Sequence, residues 1–345
     1  MTGLRNLAKR AAARAAALLP APLLQWMLSR YPLHAGMELS NVCNANCSFC
    51  AYRYLKRAKR SMDAETFRKT LDFFAGLRPR SLNLTPTVGD PLLVGDLADK
   101  VAAICRRGFK EVFFYTNAIA LGRHDVDALL CSGLARMAVS TILDGPEAYR
   151  RYYGVDKYDD VVENLRRLLD AGSRSGRFGA KVTFHLRSPR PDPAAMDPRG
   201  AALLRDIAPR NLDWLTEFKN WGHAIQPDDI PEHATLRAGQ IPAGRQGRCC
   251  AELYRRIHVF ADGKVGSCAC CDLEASLIFG SVEGQGAVAV WRGAALRKIR
   301  DAFEAGHPPA LCRTCDNYEP VDAFIEKNRM IILLNYLAHR FSLNI

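Results

Sequence analysis

From residue 37 to residue 222 the chain alternates short apolar runs with longer amphipathic ones. Residues 37–42 read as a strand. Over 63–77, Phe67, Leu71 and Phe74 recur at i, i+4 and i+7, the spacing of one helical face. Residues 81–85 form a second short strand. Asp96 is placed to cap a helix in which Leu97, Val101 and Cys105 share a face and which Gly108 stops. A strand over 111–116, a short helix over 125–131 and a strand over 136–143 follow. Val161, Leu165 and Leu168 align in a helix over 158–171 that Gly172 closes. Residues 181–187 read as a fifth strand, 200–207 as a helix and 212–218 as a sixth strand. Six strands separated by five helices predict a parallel α/β fold, and six units fit a partial (β/α)6 barrel better than a closed eight-fold one.

The pattern changes after Gly222. Residues 224–248 are rich in Pro, Gly and polar residues and read as a linker. Residues 249–320 hold only short strand-like runs, such as Ile257–Phe260. The chain thus divides at 1–35, 36–222, 223–320 and 321–345. The first segment carries Arg5, Lys9, Arg10 and Arg14 among alanines and leucines, then the apolar run Leu23 to Leu28. It reads as a basic amphipathic helix lying on a membrane surface, on a partner or on the protein's own body. The run Met330 to Leu337 is a second such segment or core. No stretch reaches the ~18–20 apolar residues of a membrane span.

Composition changes this picture in two places. The 345 residues are 48% hydrophobic and 24% charged, which excludes a disordered or collagen-like chain. Lys plus Arg exceeds Asp plus Glu by 12, which favours an anionic ligand, surface or nucleic acid without choosing among them. Twelve cysteines are the informative excess. Ten fall in three groups: Cys43, Cys47 and Cys50; Cys249, Cys250, Cys268, Cys270 and Cys271; Cys312 and Cys315. A core this large needs no disulfide staples, so the grouping points to metal in a reducing compartment. Cys105 and Cys131 stand apart and read as structural.

Cys43, Cys47 and Cys50 form C-x3-C-x2-C directly after the first strand. A structural zinc site wants four ligands, and no fourth is local. Three thiolates suit a cubane iron–sulfur cluster that keeps one iron open. With Phe49 before the third cysteine, this loop resembles the radical S-adenosylmethionine (SAM) superfamily. That resemblance implies two [4Fe-4S] clusters and SAM as cofactors, and spans roughly residues 36–222. It implies SAM contacts from Phe49, from Gly89 and Asp90 in Val88-Gly89-Asp90-Pro91, where the family carries Gly-Gly-Glu-Pro, and from Asn117, Ser140 and Arg187. Val88 and Asp90 depart from the family's pattern, and Asp90 shortens the carboxylate.

Cys250, Gly263-x4-Cys268 and Cys312-x2-Cys315 resemble the superfamily's auxiliary-cluster extension, the SPASM domain or its shorter twitch form. No cysteine follows Cys315, so the one-cluster form matches better. The implied ligands are Cys250, Cys268, Cys312 and Cys315; Cys249 in place of Cys250, and the roles of Cys270 and Cys271, stay open. A four-cysteine zinc ribbon is the plainer alternative, although its ligand spacing here would be loose. The fold expectation is therefore a partial (β/α)6 barrel with a small C-terminal auxiliary-cluster domain.

The resemblance implies reductive SAM cleavage to a 5′-deoxyadenosyl radical and hydrogen abstraction from substrate. A fully ligated auxiliary cluster would accept an electron and complete a dehydrogenation of a small or carbohydrate-like substrate. Maturation of a ribosomally made peptide, epimerisation, a lipid-linked substrate, and a non-catalytic iron–sulfur or zinc module are the alternatives. His185, Glu217 and His223, near predicted strand ends, are the acid–base candidates. The implied partners are a flavodoxin- or ferredoxin-like electron donor and a peripheral membrane contact, with no nucleic acid and a cytoplasmic location.

Overall fold

The computed structural model describes residues 11–175, 181–188, 192–232, 234–237 and 248–341. Arg5, Lys9 and Arg10 of the expected N-terminal helix, residues 233 and 238–247 of the expected linker, and 342–345 lie outside them. Six strands run in the expected order: β1 His34–Met37, β2 Ser81–Asn83, β3 Glu111–Thr116, β4 Arg136–Thr141, β5 Val182–Leu186 and β6 Leu212–Trp214. Each pairs in parallel with the next. Short strands β7 Glu217–Phe218 and β8 Thr235–Leu236 pair beside them. The linker expected over 224–248 therefore contains a strand in its described part.

Helices connect the strands: α1 Ala21–Arg30 precedes β1, and α2 Ala64–Ala75, α3 Leu97–Arg106, α4 Val126–Cys131, α5 Pro146–Tyr153, α6 Tyr158–Ser175 and α7 Pro198–Asp206 follow. Asp63 and Asp125 cap their helices through Thr66 N–H and Ala128 N–H. Helix α5 was not expected. Its sequence PEAYRRYY starts on Pro after Gly145 and holds its apolar share in Tyr149, Tyr152 and Tyr153, all buried, so aromatic rings supply the face that aliphatics supply elsewhere.

Two expected elements moved. The first strand sits at 34–37 rather than 37–42; residues 38–42 continue past the sheet edge, where buried Glu38 takes both guanidinium N–H groups of Arg57. The sixth strand is split at 215–216, as the chain leaves the sheet after β6. Cys131 is exposed at the end of α4, not structural core.

The auxiliary region does not begin a separate sheet. Strand β9 Arg256–Val259 pairs in parallel with β1, and β10 Lys264–Gly266 and β11 Ile278–Ser281 extend it antiparallel. One nine-stranded sheet results, ordered β11-β10-β9-β1-β2-β3-β4-β5-β6. Gly36 on β1 permits the join, because a Cβ there would meet the buried His258 ring of β9 at 2.2 Å. Helices α8 Ala294–Glu304 and α9 Val321–Phe341 complete the chain; α9 bends at Asn328, whose side chain donates to Phe324 C=O at 2.8 Å.

Candidate active site

Along β3, β4 and β5 the side chains alternate between a helix-covered face and a concave one. Tyr115, Ser140 and His185 stand on the concave face and line a cavity of about 650 Å³. Cys43, Cys47 and Cys50 from the loop after β1 line the same cavity. The loop is anchored from behind: Asn46 N–H and Ser48 N–H donate to the carbonyls of Tyr153 and Tyr152 on α5, and Cys43 N–H donates to the Tyr52 hydroxyl. Unexpected α5 is thus the shelf on which the cysteine loop rests.

Burial raises all three thiol pKa values, Cys43 to about 12, with neighbouring negative groups adding to the shift at Cys43 and Cys47. Arg187 pulls Cys47 and Cys50 back toward the thiolate. Three thiols from one half-buried loop, lining one cavity and none in a disulfide, form a donor set that a cationic iron centre satisfies.

The residues expected to hold SAM gather around this loop. Arg187 Nε donates to Ser140 Oγ at 2.7 Å, and its guanidinium lies 5.1 Å from the Phe49 ring and 5.0 Å from the Phe218 ring. Asn117 Nδ2 donates to Asn44 Oδ1 at 2.8 Å, beside Cys43. Gly89 has φ +133°, and a Cβ there would meet Ser40 C=O at 2.9 Å, so the turn tolerates no side chain. Asp90 departs from an open contact role. Its carboxylate accepts from Leu92 N–H at 2.9 Å, Thr116 Oγ1 at 2.9 Å and Asn117 N–H at 2.7 Å. Burial raises its pKa to about 6 against those three bonds. The shortened acid pins the end of β3 to the turn.

Of the acid–base candidates, His185 and Glu217 line the cavity and His223 does not. His223 sits in a tight turn with φ +72°, its N–H on Asn220 Oδ1. His185 pairs across the sheet with Asp213, Nδ1 to Oδ2 at 3.4 Å. Burial lowers the His185 pKa, and Asp213 opposes that shift. Nδ1 therefore faces the Asp213 carboxylate, while Nε2 lies 3.4 Å from Thr183 Oγ1. Glu217 is held by Arg237 Nε at 2.6 Å.

The second thiol group closes on a separate small cavity lined by Cys250, Cys268, Cys270, Cys312 and Cys315. Neighbours Cys249 and Cys250, indistinguishable by spacing, part here: Cys249 is buried in the apolar core and Cys250 faces the cavity. Cys271 lies behind Cys315, its Sγ 3.5 Å from the Cys315 sulfur and 3.5 Å from Asp316 Oδ1. Cys250, Cys268, Cys312 and Cys315 fit a four-thiolate cluster. Cys270 lines both cavities, so the two thiol groups share a wall.

Sequence reasoning missed Asp213 and Lys219. Asp213 becomes visible only through its strand register with His185. Lys219 lines the cavity with Nζ 5.1 Å from the Trp221 ring; burial opposes its charge, but Cys270, Cys271 and Asp316 hold its pKa above the ordinary value. One residue beyond a predicted strand end, it carried no signal. Glu252, Arg255 and Arg256 also reach the cavity, Arg256 Nε meeting Glu252 Oε2 at 2.9 Å.

The model of the radical SAM superfamily matches residues 37–185, and that of the SPASM iron–sulfur cluster-binding domain matches 249–316. A "Probable GTP 3′,8-cyclase" of Saccharolobus islandicus is 28% identical over 136 residues, covering 39% of this chain and 43% of that protein. The GTP 3′,8-cyclase of Pasteurella multocida is 24% identical over 155 residues, covering 44% and 45%. The chain therefore spans less than half the length of these relatives. In fold it is similar to BtrN in complex with AdoMet and 2-DOIA, with TM-score 0.54, 17% identity, and 85% of this chain and 96% of that one covered. It is also similar to Streptococcus suis SuiB bound to precursor peptide SuiA, with TM-score 0.56, 13% identity and 87% and 74% covered.

Proposed function

The chain belongs to the radical SAM superfamily, carries a SPASM-type iron–sulfur domain and uses SAM and [4Fe-4S] clusters; from that premise we propose that it dehydrogenates a small, hydroxyl-bearing substrate, carbohydrate-like in character. One observation carries the reading. The second cavity brings Cys250, Cys268, Cys312 and Cys315 together, in a chamber that shares a wall of Glu252, Cys270 and Asn317 with the main cavity. A centre ligated by four thiolates has no site for substrate, so its use is to take up an electron.

Cys43, Cys47 and Cys50 would hold the first cluster, and Cys250, Cys268, Cys312 and Cys315 the second. When bound, these groups supply hydrogen-atom abstraction from an unactivated C–H bond and an acceptor for one electron. The protein's own residues do the rest. Phe49, Ser140 and Arg187 form one wall, with Arg187 fixed by its bond to Ser140 and suited to a carboxylate. His185 takes the hydroxyl proton as the alcohol becomes a carbonyl, and Asp213 beside Nδ1 stabilises the imidazolium that forms. Lys219 and the Glu217–Arg237 pair face the substrate space between the two thiol groups.

The test is product analysis. Reduced protein with SAM and a panel of cyclic polyols and aminated polyols should give a product two hydrogens poorer, with deuterium from the reacting carbon appearing in 5′-deoxyadenosine. His185→Gln should lower product formation by roughly 10²–10⁴-fold and spare SAM cleavage. Because the His185 pKa is lowered, its base form persists below pH 6.5, and the rate should fall only as pH drops through that depressed value. A product at the substrate's own oxidation level overturns the dehydrogenase reading.

A further inference from the structure

Among the described residues, seven large hydrophobic side chains are exposed, and five of them lie at the two termini: Leu18, Leu23, Trp26, Met330 and Phe341. The other two belong elsewhere, Tyr115 to the central cavity and Tyr54 to the segment after the cysteine loop. The five are not scattered. Helices α1 and α9 run side by side and parallel, as their contacts show. Arg329 Nη1 donates to Leu19 C=O at 2.6 Å, Trp26 meets Tyr336 at 5.5 Å, and Tyr31 stacks on His339 at 4.3 Å. Each helix turns one face inward, Leu24, Met27 and Leu28 on α1 and Ile332 and Leu333 on α9. With inner faces and the seam fixed, the helical period sends Leu23 and Trp26 outward on α1. On α9 it places Met330 and Phe341, at i and i+11, on one exposed side, with Leu334 half-buried and Leu337 packed against the core. The expectation that α1 packs on the protein's own body and the expectation that it meets a membrane describe its two faces.

Charge identifies what covers the outer face. No Asp or Glu occurs from residue 1 to 37 or from 327 to 345, whereas these stretches carry five and three Lys or Arg residues. Acid-free basic stretches also occur at 39–62 and 171–191, but among their described residues Tyr54 is the only large exposed hydrophobic side chain. Arg30 lies against the face, its guanidinium 5.5 Å from the Trp26 ring, and Arg340 is exposed beside Phe341. Lys327 and Arg329 are paired with Glu319 and Glu326, whereas Arg30 and Arg340 stand beside the stripe. An apolar stripe with an indole and flanking arginines suits the boundary between headgroups and acyl chains. No helix of the described residues is long and apolar enough to cross a membrane. We infer that the paired terminal helices form one interfacial platform that seats the enzyme on an anionic lipid bilayer, side-on and without insertion.

The experiment uses the full-length, cluster-loaded protein in flotation with two vesicle types, phosphatidylcholine alone and phosphatidylcholine with one third phosphatidylglycerol. The protein should float with the anionic vesicles, float far less with the neutral ones, and come off as salt rises. The combined variant Leu23→Gln, Trp26→Gln, Met330→Gln and Phe341→Gln should bind at least about tenfold more weakly, with iron content and melting temperature retained. Arg14→Gln with Arg30→Gln and Arg340→Gln should lose the preference for anionic lipid. Failure of the unaltered protein to bind anionic vesicles overturns the inference, as does equal binding by the apolar variant. A dimer that the apolar variant splits into monomers, with no lipid binding by either, overturns it in favour of a second copy of the chain. SAM cleavage in solution is measured alongside and does not depend on any of these side chains, so the active-site reading stands or falls separately.

Discussion

The two thiol groups are assembled in opposite ways. Cys43, Cys47 and Cys50 lie within eight residues on one loop that α5 holds by main-chain bonds. Cys250, Cys268, Cys312 and Cys315 come from three segments spread over 66 positions, brought together by the β9–β10 turn and by the chain's return after α8. The first group needs only a local turn held by main-chain bonds. The second needs the fold to close first, and any centre bound there ties distant segments together. On the proposed reading the same residue type would serve chemistry in one place, and both chemistry and folding in the other.

Removing the local group is the harshest test of that contrast. Cys43→Ala, Cys47→Ala and Cys50→Ala together should abolish 5′-deoxyadenosine formation. Iron after anaerobic reconstitution should fall from about eight to about four per chain. Thermal unfolding should move little, because no distant segments are untied. A large fall in melting temperature would break the comparison.

Breaking the non-local group should invert the pattern. Cys312→Ala should cut product formation on the order of a hundredfold. Uncoupled SAM cleavage should stay within about threefold of the unaltered enzyme, since the first cluster is intact. The cost in stability should be about 2–5 kcal/mol, the scale of losing a cross-link in a long loop. Equal losses of cleavage and product would mean that the second group supports the first and does not act after it.

The same contrast explains what the sequence disclosed. The C-x3-C-x2-C loop is readable because its ligands are near in sequence, and the parallel sheet is readable because its period repeats at every unit. The Ser140–Arg187 bond and the His185–Asp213 pair join neighbouring strands, so Ser140, His185 and Arg187 were visible as polar residues near strand ends, but Asp213 and the pairings themselves were not. Helix α5 escaped because three tyrosines replaced the aliphatic spacing. The join of β9 to β1 escaped because it links residues more than 200 positions apart through four-residue strands, too short to carry a period. His223 looked like a site residue by position alone; a left-handed turn of three residues, Trp221 to His223, puts it outside the cavity.

The smallest effect discriminates most sharply, because it separates two adjacent cysteines that spacing cannot. Cys249 is 2% exposed and belongs to the apolar core, its carbonyl accepting from Val321 N–H at 2.9 Å where α9 begins. Burial drives its thiol pKa far up, the behaviour of a small hydrophobe. Cys250 lines the ligand cavity, and its backbone bridges to Pro320. Cys249→Ala removes one sulfur from a packed interior and should cost about 1 kcal/mol by the cavity it leaves. Iron content, spectra and turnover should all be retained. Cys250→Ala should instead lose the second cluster and follow the Cys312→Ala pattern in both product formation and stability. Measured together, the two single variants hold sequence neighbourhood, residue type and segment constant and vary only the direction of one Cα–Cβ bond. If Cys249→Ala is the variant that drops four irons, the segment bearing these residues is turned the other way and the assignment of the second ligand set moves with it.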